Sequence, residues 1–125
     1  MNREKFDSLV ARAVETLPQE FLDRLENVTV VVEDYSTGDR HSPNILGLYE
    51  GIPQTRRGRH YSLVTPDKIT IFQKPIESRC RDDAEITAEI QSVVQHEIAH
   101  HFGIDEATLG QIEKAKFKRK GKAST

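Results

Sequence analysis

Two histidines four residues apart, His96 and His100, with Glu97 directly after the first, constrain this chain more than any other feature. On a helix both imidazoles project from one face, about 40° apart, so both can reach a single ion. Glu97 falls about 60° from His100 on the same wheel, within reach of a water on that ion. Upstream, Ile86, Ile90, Val93 and Val94 form one apolar stripe, and Glu97 projects into the middle of it. A buried carboxylate without a partner costs several kcal/mol, so a stripe that ends in His, Glu and His calls for a compensating cation. The histidines read as metal ligands and Glu97 as a general base. A His-rich solvated helix, the competing reading, does not explain a carboxylate inside an apolar stripe.

The residues after His100 bear on the kind of metal site. Gly103 suits the left-handed position that closes a helix and turns the chain back. A third ligand is expected just beyond it. In the pattern HExxHxxGxxH the last position is a histidine, and here Glu106 occupies it, preceded by Asp105. Either carboxylate is an oxygen donor that zinc accepts beside two imidazoles, with water in the fourth place. Spacing favours Glu106, with Asp105 as the alternative and Glu113 last. Asp105 also has a structural role open to it, as cap of the helix that follows. Another divalent ion in place of zinc is consistent with the same donors.

The stretch His96–Glu106, together with Leu48–Pro53 and Lys68–Glu77, resembles the small bacterial zincin-like metallopeptidase family with the minimal zincin fold. The resemblance covers most of the chain. It implies an α+β fold in which a short mixed sheet packs on two long helices, the first carrying HExxH. It also implies one zinc held by His96, His100 and a carboxylate after the glycine turn. In that family a sheet edge beside the metal helix accepts the substrate backbone as an added strand. Lys68, Ile69, Thr70, Ile71, Phe72 and Gln73 are the candidates here, with Tyr61 from the preceding strand. The other reading of these residues is an ordinary edge strand protected by Lys68, Lys74 and Pro75.

Along the rest of the chain, Phe6, Leu9, Val10, Ala13, Val14 and Leu17 recur at helical spacing, predicting a helix over residues 3–17. Pro18 fits the first turn of a second short helix through Phe21, Leu22 and Leu25. Val28–Glu33 is a β-branched run and reads as an internal strand, and Ile45–Tyr49 reads as another. Tyr61–Val64 and Lys68–Phe72, around Thr65-Pro66-Asp67, predict a hairpin that Pro75 ends. Asp82 or Asp83 is expected to cap the helix that runs to Phe102, and Ala107–Phe117 to form the last one. Residues 1–117 read as one domain, and 118–125 as a basic, disordered tail.

Lys114–Thr125 holds six of the 18 basic residues and no acid, so the remainder carries 12 against 20, a net −8. The asymmetry gives the tail a route to RNA or membrane, although a solubilising end is the simpler reading. Arg56, Arg57 and Arg59 read as a solvated loop rather than a nucleic-acid contact, having no interleaved aromatics. His41, His60, Tyr49 and Tyr61 are candidate oxyanion donors. His101 reads as packing or helix-end pairing. Cys80 stands alone and so forms no internal disulfide; Arg79 and Arg81 beside it favour a lowered pKa, but a structural or incidental cysteine is the expected reading over a reactive thiol. No stretch is apolar enough to span a bilayer, and a cytoplasmic location is expected.

Three functions follow from these residues. A zinc peptidase uses Glu97 to take a proton from water as it attacks a peptide carbonyl, the partner being a peptide or protein substrate. A metal-stabilised binding module without turnover needs no buried base. A small metal-dependent RNA-processing hydrolase is favoured by the basic tail. The chain has no methionine except Met1, so it lacks the Met-turn of metzincins. It also has no room for the distant glutamate ligand of thermolysin-type enzymes.

Overall fold

The computed structural model describes residues 1–37, 44–51, 66–105 and 107–112. Helix α1 spans Arg3–Glu15, where Asn2 caps it by accepting the Lys5 N–H at 2.8 Å. It ends two residues short of the expected span, since Pro18 disfavours helical backbone at Leu17, and the Thr16 hydroxyl bonds the Arg12 carbonyl at 2.9 Å. Leu17 is nonetheless buried. Pro18 then caps the short helix α2, Gln19–Arg24, whose Phe21 is fully buried. Burying a phenylalanine of this kind contributes about 1.5–3 kcal/mol. That is enough for Phe6 and Phe21 to anchor their helices to the core they share with Ile90, Val94 and Ile98.

Among the described residues three strands follow: β1 (Val28–Glu33), β2 (Gly47–Glu50) and β3 (Asp67–Phe72). The sheet is mixed, in the order β1-β3-β2, with β1 parallel and β2 antiparallel to β3. Lys68–Phe72 is thus the central strand, paired on both sides. This corrects the expectation that it forms an edge. Its Ile69, Thr70, Ile71 and Phe72 are all buried, and the polar Thr70 and Lys68 in the sequence disguise a strand covered on both faces. A backbone with both ladders filled has no groups left for a substrate strand, so Lys68, Ile69, Thr70, Ile71 and Phe72 do not serve as one. Residues 61–64, the expected hairpin partner, lie outside the described residues.

Pro75 does not end a strand but sits in the first turn of a helix, α3, Gln73–Arg79. There its missing N–H is one that the helix leaves unpaired anyway. Gln73, expected beside a substrate, is buried at the N-terminus instead. It accepts from Arg3 Nε at 2.7 Å and donates to the Met1 carbonyl and Glu77, each at 2.9 Å.

Helix α4, Asp83–Phe102, is the long element of the fold. Of the two candidate caps, Asp82 is the one used, accepting the Glu85 N–H at 2.8 Å. Its stripe of Ile86, Ile90, Val93 and Val94 is buried as the periodicity requires. Strand β2 crosses this helix so closely that a Cβ on Gly47 would lie 2.5 Å from Val93 Cγ1 and 3.2 Å from the Thr70 carbonyl. Gly47→Ala is expected to destabilise by about 1–3 kcal/mol, read by urea unfolding. Adding Val93→Ala should recover part of that loss, and simple additivity of the two would show that the contact is not the cause.

Cys80 ends α3, half-buried. Burial pushes its thiol above the ordinary value, helped by the charges of Glu89 and Glu85 and only weakly opposed by Arg79. The lowering that the neighbouring arginines favour is therefore outweighed. Arg81 pairs with Glu85 at 3.3 Å and Arg79 with Glu89 at 3.9 Å. Because the thiolate is the nucleophile, iodoacetamide at pH 7.5 should label Cys80 several-fold more slowly than a free thiol, the gap closing as pH rises. Labelling at the free-thiol rate would contradict the assignment.

Candidate functional site

His96 lies on the fourth turn of α4, half-buried, with its Nδ1 2.7 Å from the Ser92 carbonyl one turn back. A carbonyl only accepts, so Nδ1 carries the proton and the lone pair is on Nε2. The ring is thereby held in the tautomer that a metal ligand needs. His100 follows one turn later and is exposed.

Glu97 reaches across to the sheet, where the Tyr49 N–H donates to its Oε1 at 2.9 Å. The ladder explains why that N–H is available. Leu46 pairs with Phe72, its carbonyl accepting the Phe72 N–H at 3.0 Å, and successive residues of an antiparallel strand alternate in direction. Leu46, Leu48 and Glu50 thus turn to β3, and Gly47 and Tyr49 turn outward. The carboxylate of Glu97 sits on the side of β2 that faces away from β3.

Tyr49 is fixed by its other end as well. Its hydroxyl donates to Asp67 at 2.8 Å, and the ring stacks on His101 with centroids 3.9 Å apart and planes 20° off parallel. Phe102 meets it edge-on at 6.2 Å. Burial, the bond to Asp67 and that carboxylate's charge raise the phenol far above its usual value. The hydroxyl is thus committed to Asp67, and the backbone of Tyr49 rather than its phenol meets the site. His101 packs, as its place at the helix end suggested. The Tyr49–Asp67 pairing had no sequence signal, since the two residues are 18 apart on different strands.

Gly103 closes α4 at φ 70°, and the Ile104 N–H returns to the Ala99 carbonyl at 2.8 Å. Asp105 then caps the helical residues 107–112: its Oδ1 accepts the Thr108 N–H at 2.7 Å. These bonds hold its carboxyl below the usual carboxylate range. The structural role weighed for Asp105 is the one seen. Glu106 and Glu113 lie outside the described residues, as do Tyr61, His41, His60 and Arg56, Arg57 and Arg59. Among the described residues no group of three or more His, Cys, Asp or Glu stands together as a metal cage. The donors that are described, two imidazoles one turn apart with His96 in the ligating tautomer, fit a zinc-type ion.

A cleft of about 400 Å³ opens beside His96 and Glu97, between α4 and residues 44–47. A larger groove of about 550 Å³ runs between α1 and β1 and borders neither.

The family model described as zincin-like metallopeptidase matches residues 25–115. A search of curated proteins finds no match. Among solved structures, a conserved hypothetical protein from Thermo thermophilus is similar in fold, with 22% identity and a TM-score of 0.51 over 82% of this chain and 94% of that one.

Proposed function

The chain belongs to the zincin-like metallopeptidase family, and from that premise we propose that it is a zinc-dependent peptidase whose general base is Glu97. The observation that carries this reading is the carboxylate of Glu97 held by the Tyr49 N–H on the side of β2 away from β3, one residue from His96. His96, His100 and a carboxylate from the glycine turn would hold the ion. Glu106 is preferred there, because Asp105 already caps the next helix. Zinc, when bound, polarises the scissile carbonyl and acidifies water.

The chain's own groups do the rest. Tyr49 N–H fixes Oε1 of Glu97, which leaves Oε2 to take the proton of the attacking water and pass it to the departing amine. The β2 edge beside α4, rather than β3, is the strand against which an extended peptide would lie. Strand β2, Gly47–Glu50, is short, so it orients few residues of substrate.

Metal analysis and peptide hydrolysis test the reading together. One zinc per chain is expected, with cleavage that a chelator stops and added zinc restores. Glu106→Ala should lower zinc occupancy more than Asp105→Ala, and the reverse order would move the third ligand to Asp105. Zinc-independent cleavage, or full loading without hydrolysis of any peptide, would overturn the peptidase assignment.

A further inference from the structure

The cleft beside His96 and Glu97 extends along α4 toward its N-terminus, to Glu89. Glu89 and His96 are seven residues apart, within about 20° on the helical wheel and separated by about 10 Å along the axis. The walls between them are unlike the end. Ile45, Leu46 and Val93 are apolar, and Ser92 contributes a hydroxyl, whereas Glu89 places a carboxylate at the far end.

Resting on the peptidase reading, we infer that this cleft is a side-chain subsite for lysine or arginine next to the scissile bond, with Glu89 as the residue that selects the cation. Five bonds of ordinary length carry a lysine ammonium about 6 Å from its Cα. The Glu89 side chain covers the remaining few ångströms, so the reach matches the spacing on the helix. The apolar walls suit the alkyl stem and the carboxylate suits the charged head. A norleucine would fill the walls and leave Glu89 without its cation, and an acidic side chain would face both Glu89 and Glu97.

Among the described residues Glu89 pairs with Arg79 at 3.9 Å, the Arg79 side chain being 61% exposed and that of Glu89 27%. A pair that long and that wet is weak. It leaves the carboxylate able to accept a second cation, or to exchange Arg79 for one.

Blocked alanine-rich hexapeptides carrying lysine, arginine, norleucine or glutamate at one position test the assignment. Cleavage by the zinc-loaded protein is followed by mass spectrometry, and binding to the zinc-loaded Glu97→Gln protein by calorimetry. Both are expected to rank the basic peptides first and the glutamate peptides last. Glu89→Gln should lower the lysine-to-norleucine ratio in kcat/KM on the order of tenfold or more, and Glu89→Lys should invert the order in favour of glutamate. Unchanged melting of both variants would show that the effect is not loss of fold.

Equal binding of basic and norleucine peptides, or a preference that survives Glu89→Gln, would overturn the subsite. If basic peptides bind preferentially and none is cut, the subsite stands and the peptidase reading fails. If peptides are cut without a basic preference, the reverse holds. If none binds, the subsite assignment fails as well.

Discussion

Glu97→Gln should lower kcat for peptide hydrolysis by about 10²–10⁴-fold while zinc content and melting behaviour stay at the wild-type level. The substitution is informative because of what it keeps. A glutamine side chain still offers an oxygen to the Tyr49 N–H, the bond seen at 2.9 Å, so the seat of the side chain on β2 survives. Only the capacity to take and return a proton is lost. Glu97→Ala removes the acceptor too and leaves the outward N–H of Tyr49 without it. Amide hydrogen exchange at Tyr49 should therefore quicken in Glu97→Ala and remain slow in Glu97→Gln. The two readouts separate the two roles of one carboxylate. Full hydrolytic activity in Glu97→Gln would remove Glu97 from the chemistry. Equal exchange in the two variants would remove its part in holding β2.

What the sequence made legible, and what it did not, follows from the range of the interactions. Helices α1 and α4 were readable because their apolar stripes are local, and so is the Asp82 cap, which bonds an N–H three residues on; Gly103 turns at the position its neighbours require. The place of His96 and Glu97 on α4 was readable for the same reason. Sheet order was not. Lys68–Phe72 alternates polar and apolar side chains like an edge strand, and only its two partners, about 20 to 40 residues away in sequence, make it central. Helix α3 was hidden by Pro75, which reads as a terminator in a strand and is tolerated in a first helical turn. The Tyr49 N–H at the site had no signal of its own, because a backbone group has no residue identity to read. Its direction follows from the β2–β3 register alone.

His96→Ala should abolish stoichiometric zinc binding, weakening affinity on the order of a hundredfold to a thousandfold, and with it all zinc-dependent hydrolysis. The structure makes His96 the better probe of the two histidines. Its Nδ1 bond to the Ser92 carbonyl holds the ring in one tautomer at the half-buried wall of the cleft, whereas His100 is exposed. A ring already oriented loses less freedom when it ligates, so its removal should cost more affinity than His100→Ala. Zinc at a hundred times its dissociation constant stabilises a protein that binds only when folded by about 2.7 kcal/mol. The rise in Tm on adding zinc to the wild type is therefore expected to vanish in His96→Ala and to shrink in His100→Ala, while Glu97→Gln keeps it. If the shift persists undiminished in His96→Ala, the metal binds elsewhere on the chain and the assignment of HEIAH as its site is wrong. If His100→Ala loses more of it than His96→Ala, the Ser92 bond does not preorganise the ligand.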